Sequence, residues 1–222
     1  MLPEQVMTVE YMDQDKQILE SLAHARRLLT TVENHDELAG ELAAFGYTAE
    51  AVTTCWGLID TAQAAVDARQ DAMGEQDAAY EDLRIADETA RRTYADYRAV
   101  TRALYKNKDD RHKLGLNGIV PKDREKFLTL ARTSYTAARN APYTEILAAY
   151  GFDTAALDAA EAELDALNNA HSHRQHADGA ARDATVARDQ AVEELEAWIS
   201  RFRRIARVAL RDRPGLLIEL SL

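Results

Sequence analysis

His171-Ser-His173-Arg-Gln-His176 is the densest group of metal-competent side chains in the chain. On a helix His173 and His176 share a face, as ligands of Zn²⁺, Ni²⁺ or Cu²⁺ must. Histidines this close also gain charge as pH falls through about 6.5, so the same three side chains could sense pH. Asp178 and Asp183 stand near enough to assist. The competing explanation is a polar, Ala-flanked helix tip that carries histidines without using them. A carboxylate-bridged di-metal centre needs Glu three residues before a His, both projecting from one helix face into the core of a bundle. The residues three before the six histidines are Ser21, Val32, Asp109, Asn168, Ala170 and His173, so that chemistry is absent.

A second chemistry-bearing group is basic. Arg201, Arg203, Arg204, Arg207, Arg211 and Arg213 fall within thirteen residues, and Arg91, Arg92, Arg98, Arg102, Lys106 and Lys108 form a similar run. At the C-terminal turns of helices such cations complement the helix dipole. They could equally present a surface to an acidic protein, a second copy of the chain or a small anion. Arg98, Arg102, Arg201, Arg203, Arg204, Arg207 and Arg211 are the residues singled out for that role. Nucleic acid is disfavoured as a partner, because a net charge of −11 repels a polyanion.

Nucleophilic catalysis finds no support. The single cysteine, Cys55, falls on an apolar helical stripe and reads as packing. There is no Gly-rich phosphate loop and no Gly-x-Ser-x-Gly elbow. No catalytic residue and no cofactor is therefore expected, and the chain reads as non-enzymatic.

The elements that position these groups follow from composition and repeat. The 222 residues are 46% hydrophobic and 29% charged, with 41 alanines but only nine glycines and four prolines, too few for the turns of an all-β fold. No apolar run is long enough to span a membrane, and Met1 to Leu19 lacks the pattern of a secretory leader. With one cysteine, a cytoplasmic protein is expected. Charge is segregated: −14 over residues 1–90, +7 over 91–132, −8 over 133–200 and +4 over 201–222.

That alternation suggests a tandem duplication, and a shift of 105 residues displays it. Leu42-Ala-Ala-Phe-Gly-Tyr-Thr-Ala-Glu-Ala-Val52 lies over Leu147-Ala-Ala-Tyr-Gly-Phe-Asp-Thr-Ala-Ala-Leu157, with five of eleven positions identical. The same shift pairs Gly74 with Gly179, Tyr97 with Phe202, and Arg98, Arg102 and Lys106 with Arg203, Arg207 and Arg211. With one residue inserted, Lys113-Leu-Gly-Leu116 lies over Glu219-Leu-Ser-Leu222. The expected domains are a first helical repeat, 1–116, and a second, 117–222, joined by a non-helical segment, Gly115 to Pro121.

Each repeat reads as all-α. Val52, Cys55, Ile59, Ala62, Val66, Arg69 and Met73 follow a 3-4 spacing, answered by Leu157, Ala160, Leu164, Leu167, His171, Arg174 and Asp178. A second stripe runs through Ala79, Leu83, Ala86, Ala90, Thr93, Tyr97, Val100 and Leu104. It is answered by Ala184, Arg188, Ala191, Leu195, Trp198, Phe202, Ile205 and Ala209. Arg69, Arg174 and Arg188 interrupt these stripes near Gly74 and Gly179, which predicts a long antiparallel hairpin in each repeat with a solvated tip at the glycine. Shorter helices precede it, and the two repeats form up-and-down bundles. A short helix near 36–45 or 142–150 should stop at Gly46 or Gly151, with Tyr47 or Phe152 folding back on Leu42 or Leu147. Thr48 and Asp153 are placed as N-caps of the following helix, and Pro142 in the first turn of its own. Helix content above about 70%, roughly twice the globular average, is expected.

A period of this size is similar to that of spectrin repeats, but those join through a continuous helix, which the Gly- and Pro-containing junction contradicts. Trp198-x3-Phe202-Arg203-x-Ile205-Ala-Arg-Val-Ala-Leu210 and the Leu42-Ala-Ala-Phe-Gly-Tyr47 helix stop resemble a set of uncharacterised bacterial proteins with a duplicated helical-bundle unit. The resemblance implies the fold and no activity. The expected function is a helical scaffold or self-assembling module with complementary acidic and basic surfaces, associating with itself or a protein partner. The alternative is a metal- or pH-responsive module working through His171, His173 and His176.

Overall fold

A computed structural model of the chain describes residues 3–220. It is 83% helix and has no strand among the described residues. The elements are α1 (Pro3–Glu33), α2 (Asp36–Ala43), α3 (Ala49–Leu104), α4 (Lys108–Lys113), α5 (Arg124–Ala138), α6 (Tyr143–Ala148), α7 (Thr154–Ala209) and α8 (Pro214–Glu219). The bounds recur along the chain. Helices α3 and α7, each of 56 residues, begin and end 105 residues apart, α1 and α5 end 105 apart, and α4 and α8 are offset by 106. The last two residues of the Glu219–Leu222 match lie outside the described residues. No described helix is long and apolar enough to cross a membrane.

Two expected helix stops form as the residue types dictate. The Tyr47 amide donates to the Leu42 carbonyl (3.1 Å) and the Gly46 amide to that of Ala43 (3.0 Å). Phe152 and Gly151 repeat both bonds to Leu147 and Ala148, at 3.0 and 3.2 Å. Such a stop requires a left-handed residue, and Gly46 and Gly151 sit at φ 90° and 89°. Asp153 then caps α7, its carboxylate accepting from the Ala156 amide at 2.8 Å. Before α3, Thr48 supplies its main-chain carbonyl to Val52. Pro142 stands one residue ahead of α6 rather than inside its first turn.

The expected hairpins do not form. Gly74 and Gly179, placed at their tips by the sequence, are helical, and α3 and α7 run through them without a break. A turn there would need several residues to leave the helical region. One glycine costs a helix only about 1 kcal/mol relative to alanine, and Asp71-Ala-Met73 and Glu75-Gln-Asp-Ala78 are adequate helix formers on either side. The two compact units accordingly divide at these glycines and not at the Gly115–Pro121 junction. One comprises Met1–Gly74 with Gly179–Leu222, the other Glu75–Asp178. Sequence repeats 1–116 and 117–222 therefore each contribute to both.

The first unit holds α1, α2, the first part of α3, the last part of α7, and α8. Its core runs through Leu22, Leu29, Leu42, Ile59, Leu195 and Leu210. Tyr47, delivered by the α2 stop, meets Trp198 and Phe202 edge-on, with ring centroids 5.3 and 4.9 Å apart. The second unit holds the remainder of α3 and α7 with α4, α5 and α6. Tyr94, Tyr97, Phe127 and Tyr135 form its centre, each contacting at least one other ring edge-on. Two of the hydroxyls converge on Ser134: that of Tyr97 donates to its carbonyl at 3.2 Å, and Tyr94 Oη lies 3.1 Å from its Oγ.

The stripe Val52 to Arg69 is buried throughout. Further along each long helix the buried edge moves by about one residue, to Tyr94, Tyr97 and Thr101 in α3, and to Ile199, Phe202 and Ala206 in α7 with Leu210 just after it. A 3-4 spacing averages 3.5 residues, and a straight helix of 3.6 drifts against it by about 20° per heptad.

Candidate interaction surface and buried arginine networks

Arginines decide where charge is spent and where it is left over. Arg69 and Arg188, expected at a solvated tip, are 5% and 1% exposed in the first unit. Asp15 of α1 joins them: its Oδ2 accepts from Arg69 Nη1 and its Oδ1 from Arg188 Nη1, both at 2.7 Å. Asp189 takes the other side of the Arg188 guanidinium at 2.6 Å. A buried guanidinium without a carboxylate would cost several kcal/mol, so helices α1, α3 and α7 are held in register by one acidic side chain. Arg174, which matches Arg69 at the offset of 105, behaves differently. It pairs with Asp178 four residues on and lies over the Tyr80 ring.

In the second unit three arginines of the basic run at the end of α3 reach main-chain carbonyls of their own chain, while Arg92, Lys106 and Lys108 are exposed. Arg98 donates to the main-chain carbonyls of Leu116 and Gly118, and Arg102 Nη2 to that of Leu116 at 2.6 Å. Arg111 binds the Tyr105 carbonyl at 2.7 Å, and Arg91 those of Pro121 and Lys122 at 2.9 and 3.0 Å. The segment between α4 and α5 is irregular, and its carbonyls need donors that no helix supplies. Arg98, which is buried, and Arg102, which is exposed, thus each donate to carbonyls of their own chain.

The other five arginines singled out for an interaction surface differ. Arg201, Arg204, Arg207 and Arg211, on the last turns of α7 and just beyond, are exposed, and Arg203 is half-buried. None of the five pairs with a carboxylate among the described residues. Arg204 bonds only its own helix, at Ser200, and Arg203 Nε is buried without a hydrogen-bond partner. Arg213 is engaged with Glu37 and Glu41.

The three histidines do not gather. His173 pairs with Glu75 at 3.1 Å, His176 is exposed and His171 is half-buried on another side of α7. Among the described residues no group of three or more His, Cys, Asp or Glu side chains is placed to hold a metal ion. A spacing of two and then three residues spreads three side chains around a helix, so the cluster in the sequence is not one in space. Cys55 is fully buried, and burial pushes its thiol up to about 12, which leaves it protonated and unreactive.

Two histidines carry a pH dependence. Burial and then Arg203 and Arg27 hold His24 below the ordinary histidine range, and burial with Arg124 and Arg174 does the same for His171, against a small opposing pull from Glu125. Both are neutral in the folded chain at pH 7, whereas the unfolded chain takes up protons near 6.5. Stability from these sites is thus present above pH 6.5 and is lost as pH falls through the lowered folded values. Urea midpoints should fall from pH 7 to pH 5, and the fall should shrink in His24→Gln/His171→Gln.

No protein-family model matches the chain, and no curated protein and no solved structure is detectably similar to it.

Proposed function

We propose that the chain is a non-enzymatic helical scaffold, built by tandem duplication, that self-associates through complementary basic and acidic surfaces. One observation carries the reading: Arg201, Arg203, Arg204 and Arg207 on the last turns of α7, and Arg211 just beyond it, have no carboxylate partner among the described residues of a strongly acidic chain. Acidic side chains are left over in the same unit. Glu50, Asp60 and Asp71 on α3 and Glu193 and Glu196 on α7 are exposed and equally unpaired among the described residues. The same unit thus offers both halves of an ionic contact. Docking the basic end of one copy on an acidic helix face of the next is heterologous and can continue into an open oligomer. The duplication is supported by element bounds that recur at 105 residues and by the paired Gly46 and Gly151 stops.

Sedimentation velocity tests the reading between about 0.02 and 0.5 M salt, over which the screening length falls from roughly 20 to 4 Å. Oligomers at low salt that dissociate at high salt are expected. Arg201→Glu/Arg204→Glu/Arg207→Glu should stay monomeric throughout. A wild-type chain that is monomeric at every salt concentration overturns self-association.

A further inference from the structure

A groove of about 380 Å³ opens in the second unit between α3, the start of α5 and α7. Its apolar wall is Tyr80, Leu83 and Leu167, and its basic wall includes Lys122, Arg124 and His171. Arg84 and Arg91 also line it, against one acidic group, Asp87. This reverses the sign of a chain that is acidic as a whole.

These cations are not equally free. Arg84 is committed to Glu81 and Glu88, and Arg91 to Asp87 and to the junction carbonyls. The Lys122 amine has no partner among the described residues. Arg124 gives Nη2 to Glu125, while its Nη1 is buried without a hydrogen-bond partner. A buried guanidinium nitrogen left unbonded is costly. His171 stands in the same lining.

The scaffold does not demand this chemistry. At the offset of 105, the first unit has Gln17 for Lys122, Leu19 for Arg124, Asp189 for Arg84, Glu196 for Arg91 and Val66 for His171. A groove of about 300 Å³ forms there too, and Gln17, Asp189, Glu193 and Glu196 line it. Equivalent positions therefore tolerate neutral or acidic residues.

We propose that the groove of the second unit binds a small phosphate monoester with an apolar or aromatic body. A dianion pairs with the Lys122 amine and the Arg124 guanidinium, with His171 as a further donor, while the body lies on Leu83 and Leu167 beside Tyr80. Guanidinium and ammonium groups make their strongest hydrogen bonds to such oxygens. The volume is at the small end of the range for ligand sites, which limits the occupant to a metabolite-sized molecule. Asp87 in the same lining discriminates against larger polyanions.

Calorimetric titration of the full chain with phenyl phosphate, benzoate and inorganic phosphate tests the site. Phenyl phosphate should bind about tenfold more tightly than benzoate, which carries one charge, and than inorganic phosphate, which lacks the ring. Lys122→Gln and Arg124→Gln should each weaken it by about tenfold, a loss expected for one charge-assisted bond. Arg132→Gln, outside the groove and paired with Asp165, should leave binding unchanged, and circular dichroism confirms that each variant folds. No heat from phenyl phosphate at millimolar concentration, or equal affinity in the wild type and in Lys122→Gln/Arg124→Gln, overturns the proposal. The self-association test reads arginines at the end of α7, so the two outcomes are independent.

Discussion

Asp15→Ala should destabilise the chain by about 3 kcal/mol, at the low end of the range for breaking a buried ion pair. Asp15 sits between Arg69 and Arg188, 2.7 Å from each, and its removal leaves Arg188, which is 1% exposed, with Asp189 at the rim. The low end applies because the Asp15 side chain is itself one-third exposed and water can enter the vacated space. Arg188→Met should cost less, since it removes the buried charge and keeps apolar volume, while Asp15 retains Arg69. Urea unfolding at pH 7 measures both. The opposite order, with Arg188→Met the more damaging, would mean that the arginine stem and not its charge supports the packing.

The second large effect is expected at Gly115. Its φ is 67°, and an added Cβ would stand 2.2 Å from Ser134 Oγ. That hydroxyl cannot easily move, because it donates to the Leu130 carbonyl at 2.8 Å and meets Tyr94 Oη. Gly115→Ala should therefore cost about 3 kcal/mol, from a left-handed alanine and a displaced buried hydrogen bond together. Gly74→Ala supplies the contrast. Gly74 is helical, with nothing within 4 Å of the added carbon, so alanine should stabilise by about 1 kcal/mol. If Gly74 were a turn, that gain would be a loss.

What could be read from the sequence was local. Gly46-Tyr47 and Gly151-Phe152 carry a complete helix stop within six residues, and both formed as expected. The stripe from Val52 to Val66 needed only its own spacing. What could not be read depends on partners far along the chain. Arg188 looks like an interruption until Asp15, 173 residues away, is placed beside it. Gly74 and Gly179 look like turns because glycine breaks helices in isolation, whereas here tertiary packing outweighs a penalty of about 1 kcal/mol. Arg98 and Arg102 bind main-chain carbonyls, which leave no trace in residue type. The irregular Gly115–Pro121 segment, short of donors, was the available hint. The groove beside Lys122 and Arg124 draws on α3, α5 and α7, and no single stretch of sequence announces it.

The central claim is that one compact unit is assembled from both ends of the chain. Through-space proton NMR couplings between the rings of Tyr47 and those of Trp198 and Phe202 test it most directly. Centroids 5.3 and 4.9 Å apart predict strong cross-peaks from Tyr47 to both rings. Absence of these cross-peaks in the folded chain, with Tyr47 coupled instead to residues of its own repeat, would contradict it.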